Sequence, residues 1–228
     1  MTRPGKEIED DGLAASGKTD SGTKDNETRD NETNVSNSLV GREKRWAHLQ
    51  EEIRDCQRCA LAQSRIQAVP GEGPLGAAVF FVGEAPGEKE DLTGRPFVGP
   101  AGRYLDSLLP RAGLVRAEVF ITGLVKCRPP QNREPRTAEI RACAQFLYRQ
   151  LDLIAPRLVV PLGNFALQEL VGKEFSISQT HGRPLEKDGR RYFPLFHPAA
   201  AFYKADLRST MAEDMEKLGQ YLRSLPGG

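Results

Sequence analysis

Four cysteines, three histidines and a few glycine-rich loops are where chemistry is to be sought in this 228-residue chain. Cys56 and Cys59 are separated by two residues, the spacing that lets one turn offer two thiolates to a common metal. Cys127 and Cys143 can supply the other two ligands, and four thiolates suit zinc or an iron-sulfur cluster, a choice the spacing leaves open. A redox pair of the Cys-x-x-Cys kind usually sits at a strand-to-helix junction, whereas this one follows a helix. Burial without a ligand suits Cys143, on an apolar helix face, better than it suits Cys56 and Cys59. His197, ahead of Pro198, is a candidate hydrogen-bond donor. Glu84 lies in Gly83-Glu84-Ala85-Pro86-Gly87, whose glycines permit close backbone approach to an anionic group. Phe97, in the loop between Gly94 and Gly99, is either an ordinary core aromatic or an aromatic face held in a loop.

Positioning these groups requires a scaffold, and its pattern is readable. Apolar runs at Ala77–Val82, Val119–Val125, Leu158–Leu162 and Tyr192–Phe196 read as four buried strands. Helical stretches lie between them. Pro100 suits a first helical turn ahead of Leu105, Leu108 and Leu109, and Thr137 suits an N-cap ahead of Ile140, Ala144, Leu147 and Leu151. A last helix is expected from about Ala200 to Leu222. Upstream, Trp46, Leu49 and Ile53 share one face of a helix that delivers Cys56 and Cys59 near its end. Strands alternating with helices imply a parallel sheet covered on both faces, with ligands at the carboxyl ends of the strands. Four segments leave strands at that edge: Gly83–Gly87, Thr122 to Cys127, Gly163-Asn164 and His197-Pro198.

Composition sets the bounds. Hydrophobic residues make up 39% of the chain, enough for one substantial core. No apolar run spans a bilayer or resembles a signal peptide, so a cytoplasmic protein is expected, and with it reduced thiols in place of a disulfide scaffold. Residues 1–40 carry five Lys/Arg against nine Asp/Glu, no aromatic residue, and a near-repeat at Asp25-Asn26-Glu27-Thr28 and Asp30-Asn31-Glu32-Thr33. Such a segment reads as a disordered tail, with the folded domain at 41–228. The remainder holds 27 basic residues against 22 acidic ones, an excess that permits attraction to phosphate backbones.

In their order and spacing with the four cysteines, Gly83–Gly87, Gly94-Arg95-Pro96-Phe97-Val98-Gly99, Lys126-Cys127-Arg128-Pro129-Pro130 with Asn132-Arg133, and Phe196-His197-Pro198-Ala199 resemble the family 4 uracil-DNA glycosylases. The likeness runs from about Arg54 to Leu222. It implies a three-layer αβα sandwich around a four-stranded parallel sheet, and a [4Fe-4S] cluster bound by Cys56, Cys59, Cys127 and Cys143. It implies a monomer that flips uracil out of single- or double-stranded DNA, hydrolyses its glycosidic bond and leaves an abasic site.

The site roles that follow from the resemblance are specific. Phe97 stacks on the uracil, and His197 donates to a uracil oxygen as negative charge moves onto the base. Glu84 positions the water or walls the pocket against the thymine methyl, and Ala85 stands where related families place a water-activating Asp. Gly123 departs from the pattern, since the family has an Asn there to read the uracil edge; a bidentate amide contact is worth roughly 1–3 kcal/mol of discrimination. That departure supports a second reading, a glycosylase for another deaminated base or an inactive damage-binding relative. A more distant one is a zinc-stabilised interaction module. Arg95, Lys126, Arg128 and Arg133 are the candidate phosphate contacts, the segment Ala199–Arg208 the candidate intercalating loop, with Phe202 or Tyr203 as its wedge. No covalent DNA adduct is expected, because the basic, His-containing insertion of the covalently trapping branch is missing.

Overall fold

A strand buried on both faces has no room for polar alternation, and Val79–Gly83, entirely buried, is such a strand. In the computed structural model, which describes residues 40–226, this β1 is an interior strand of the sheet. β2 (Phe120–Gly123) and β3 (Leu158–Pro161) flank it in parallel, with Gly83 opposite Gly123 at one end. The edge differs from the expected four-stranded parallel sheet. β4 (Leu185–Lys187) and β5 (Arg190–Tyr192) form an antiparallel hairpin, and β5 pairs in parallel with β3, so the sheet is mixed and five-stranded in the order β2-β1-β3-β5-β4. Asp188 and Gly189 close the hairpin with left-handed φ of 50° and 73°, the backbone a two-residue hairpin turn demands. β4 is partly exposed and carries Glu186 and Lys187, so it lacks the apolar run by which the other strands show themselves.

Helices cover both faces. Phe80, Val82, Phe120 and Val159 pack against Leu147 and Leu151 of α5 and Ala166 and Leu167 of α6. Val79, Phe81, Ile121 and Val160 pack against Leu105 of α4 and Met215 and Leu218 of α8. These ranges are α4 Pro100–Leu108, α5 Thr137–Ile154, α6 Asn164–Leu170 and α8 Leu207–Ser224, with short helices α2 (Leu61–Ser64), α3 (Glu88–Thr93) and α7 (Ile177–Thr180) between. Each fully buried Leu, Val or Phe contributes about 1.5–3 kcal/mol through area removed from water, which is what holds the three layers together. Pro100 opens α4, as its fixed φ favours. Helix α5 begins at Thr137 with Arg136 as its cap, one residue earlier than expected, because the Glu139 carboxylate accepts the Arg136 amide at 2.7 Å. The expected final helix is split into a 3-10 turn at Pro198–Phe202 and α8 proper.

From Gly41 on, the described residues form one compact unit, led by helix α1 at residues 40–54. Leu49 and Ile53 of α1 are buried beside Val125, Phe146, Cys127 and Cys143, and Trp46 meets Phe120 edge-on at 5.4 Å. The disorder expected of the first forty residues lies outside the described residues. No described helix is long and apolar enough to cross a membrane.

Candidate active site

The carboxyl ends of β1 and β2 and the turn after residue 195 open into one cleft of about 600 Å³, within the range of small-ligand sites. Of the residues singled out from sequence, Glu84, Ala85, Phe97, Gly123, Arg133 and His197 line it, and so do the wedge candidates Phe202 and Tyr203. Phe97 and His197 face one another with ring centroids 5.8 Å apart and planes inclined by 40°. Gly83 makes this convergence possible. A Cβ there would stand 2.4 Å from the Phe97 ring and 3.8 Å from His197 Nε2, so any side chain would displace the aromatic face.

His197 has a defined tautomer. The Ala199 amide donates to its Nδ1 at 3.2 Å, and an amide can only donate, so Nδ1 carries the lone pair and Nε2 the proton. Burial lowers the imidazole to about 4, which keeps it neutral at ordinary pH. Nε2–H is thus a fixed, uncharged donor at the cleft wall. Glu84 is perturbed the other way: burial first, and the negative charge of Glu134 second, push its carboxyl up to about 7. A carboxyl poised there can take a proton from water near neutrality.

Gly123 is more than a missing side chain. A Cβ at this position would lie 2.8 Å from the Val125 carbonyl oxygen, because the chain turns back as the Leu124 and Val125 amides donate to Gly83 and Glu84. Two more cleft residues matter: Glu90, which was not singled out from sequence as part of the site, and Asn132, which stands in a matching motif without an assigned role. The Glu90 carboxylate accepts the amides of Gly87, Val98 and Gly99 at 3.1, 2.8 and 2.8 Å, tying the Gly83–Gly87 loop to the Phe97 loop. Its signal was the capping-box spacing from Gly87 to Glu90. Asn132, with a left-handed φ of 54°, lines the cleft while its Oδ1 accepts from Arg128 Nε at 2.8 Å, and among the described residues its amide hydrogens have no acceptor.

The four basic candidates separate. Arg133 lines the cleft but forks onto Glu139 at 2.7 and 2.9 Å, and it holds that carboxyl below the usual range. Arg128 spends Nε on Asn132 and does not line the cleft. Arg95 pairs with Glu72 at 2.7 Å in a separate groove beside α1. Lys126 is a correction: it is 1% exposed, and its ammonium is enclosed by Thr122 Oγ1, the Gly123 carbonyl and Gln150 Oε1 at 2.6–2.7 Å. It cannot reach a phosphate. The pattern of a basic residue beside a loop cysteine pointed outward, but the side chain folds under β2 and secures the Gly123 turn from below. Burial lowers this ammonium to about 8.

Cys56, Cys59, Cys127 and Cys143 converge on one small cavity under Phe146, distinct from the cleft. Arg65 Nη1 donates to Cys127 Sγ at 3.0 Å and the Lys126 amide to Cys143 Sγ at 3.3 Å. Burial pushes the Cys143 thiol up to about 11 and raises Cys127 too, so both favour a cation as partner for ionisation. Among the described residues no three Cys, His, Asp or Glu side chains are grouped tightly enough to hold a metal ion. Phe202 and Tyr203, 48% and 88% exposed, stand at the rim of the cleft on the turn that follows His197.

Comparison with known proteins bears directly on this arrangement. Residues 70–223 match the family model described as the uracil DNA glycosylase superfamily. A type-4 uracil-DNA glycosylase of Sulfurisphaera tokodaii is 45% identical over 179 residues, 75% of this chain and 81% of the relative. A type-4 uracil-DNA glycosylase of Thermotoga maritima is 41% identical over 189 residues, 81% of this chain and 98% of the relative.

Proposed function

The chain belongs to the uracil DNA glycosylase superfamily, among its type-4 members, and we propose from that premise and the cleft geometry how it excises uracil from DNA. It is a DNA repair glycosylase whose substrate is uracil-containing DNA. The observation that carries the mechanism is the meeting of Phe97 and His197 over Gly83. An extruded uracil stacks on the Phe97 ring while Nε2–H of His197 donates to a carbonyl oxygen of the base.

As the bond between uracil N1 and the sugar C1′ breaks, its electron pair passes to the base, and the neutral imidazole stabilises the resulting anion without surrendering its proton. Water adds to C1′, and Glu84, ionised as the pH passes 7, orients that water and receives its proton. The amide hydrogens of Asn132 supply a donor at the cleft wall where Gly123 has none. Ala85 brings no acid of its own, so the burden of handling water falls on Glu84. Tyr203, the more exposed of the two rim aromatics, fills the space the base vacates, and Arg128 and Arg133 face the backbone of the flipped strand.

Cys56, Cys59, Cys127 and Cys143 would hold a [4Fe-4S] cluster. Four thiols around one small cavity are a donor set that suits such a cluster and zinc alike, and the likeness to the type-4 enzymes favours the cluster. The cluster would supply a rigid anchor and not redox chemistry, because Cys127 leads directly into the Arg128–Arg133 segment of the cleft rim. The reading is completed by a cytoplasmic monomer, a compartment in which the four thiols stay reduced.

The test is release of free base from oligonucleotides carrying uracil, hypoxanthine or xanthine, with the visible absorption of the purified protein recorded alongside. Uracil release and a brown protein are expected. Release of a purine alone would favour the second specificity that Gly123 suggests, and no release from any substrate would reject the catalytic assignment.

A further inference from the structure

Phe97 adopts φ of 51°, a backbone state that residues with a Cβ avoid and that must be imposed from outside. Arg116, just ahead of β2, imposes it. Its Nη1 donates to the Phe97 carbonyl at 3.0 Å and its Nη2 to the Pro96 carbonyl at 2.5 Å. The guanidinium is itself aimed by Asp106 at 2.9 Å and Glu72 at 3.7 Å, and it is only 22% exposed. The Phe97 carbonyl is seated against α4, where a Cβ on Gly102 would come within 1.8 Å of it. On the far side of the same loop, Glu90 holds the amides of Val98 and Gly99. The loop carbonyls therefore go to a cation and its amides to an anion, and the ring between them is fixed over Gly83.

We propose that Arg116 is a positioning residue that holds Phe97 in its left-handed conformation as the base-stacking platform, and thereby sets the rate at which extruded uracil is captured. This rests on the reading of Phe97 as that platform. Arginine is required because only a planar fork reaches two successive carbonyls while a third contact orients it. Lysine keeps the charge and loses the fork.

The experiment is a double-mutant cycle read by single-turnover uracil release, with affinity for abasic-site DNA and melting temperature measured on each variant. Arg116→Gln is expected to slow release by about tenfold or more while affinity for abasic DNA stays within about twofold, and Arg116→Lys to recover only part of the rate. In a Phe97→Ala background the same Arg116→Gln change should cost less than about twofold, because the platform it serves is already gone. Arg111→Gln, which removes an exposed arginine paired with Glu216, is the control and should leave the rate unchanged. A wild-type rate in Arg116→Gln alongside a slow Phe97→Ala overturns the role of Arg116 and spares the platform. A loss of equal size in both backgrounds also overturns it, since Arg116 would then act elsewhere. A wild-type rate in Phe97→Ala removes the platform reading and this inference with it. Where Arg116→Gln does not fold, the folded Arg116→Lys is judged by the same cycle: an effect confined to the Phe97 background supports the proposal, and none overturns it.

Discussion

Replacing His197 with alanine removes one donor and leaves the rest of the cleft standing. The Ala199 amide loses its acceptor at 3.2 Å, a capping bond worth about 1 kcal/mol, so the folded state should survive with a small drop in melting temperature. The catalytic loss is larger. Nε2–H is held by a defined tautomer and costs no reorganisation when charge arrives on the base; deleting one such preorganised donor raises a barrier by about 2.7–4 kcal/mol, or roughly 100- to 1,000-fold in rate. Single-turnover uracil release should fall by that factor, while binding to abasic-site DNA is largely retained. His197→Gln, which can still donate, should lose less. A loss under about tenfold, or a parallel collapse of DNA affinity with the fold intact, would show that the imidazole does not act on the leaving base. The pH behaviour gives a second check. Since burial lowers this imidazole from 6.5 to about 4, the unfolded chain takes up a proton as pH falls through 6.5 while the native state does not. Stability should therefore decline between those two values in the wild type, and this part of the decline should vanish in His197→Ala.

For Glu84, whose carboxyl is pushed up to about 7, excision should rise with pH through that value and level off above it, and Glu84→Gln should abolish the slope; a limb that survives the substitution belongs to another group. Gly123→Asn brings a Cβ to 2.8 Å from the Val125 carbonyl, so it should lower stability by about 1–3 kcal/mol in urea unfolding without raising uracil release. A faster and equally stable variant would show that the turn yields. Lys126→Met strips a donor from Thr122, Gly123 and Gln150 and should destabilise by about 1–3 kcal/mol, yet leave the salt dependence of DNA binding unchanged; a shallower salt slope would return Lys126 to the phosphate contacts. Cys127→Ser should remove visible absorption and loosen the Arg128–Arg133 rim, read as faster amide exchange there; full absorption would take Cys127 out of the ligand set.

The sequence by itself determined the three parallel strands β1, β2 and β3, the helix leading to Cys56, and the loops that meet at the strand ends. Unbroken apolar runs and turn residues are local signals, and β1, β2, β3 and α1 carry them plainly. It also placed His197 at the ligand edge through the strand order, while the role of Phe97, in a glycine-bounded loop, came with the likeness to the type-4 family. Tertiary structure alone decided the rest. The β4–β5 hairpin owes its place to docking on β3, which its own polar residues do not announce, although Asp188-Gly189 marks the turn. Lys126 turned inward because Thr122, Gly123 and Gln150 offer three oxygens from residues spread over two elements, a sum no local window contains. The neutral state of His197, the raised carboxyl of Glu84 and the grip of Arg116 on Phe97 likewise depend on burial and on partners distant in the chain. Periodicity carries the direction in which a side chain leaves its own element, and only packing determines what it meets there.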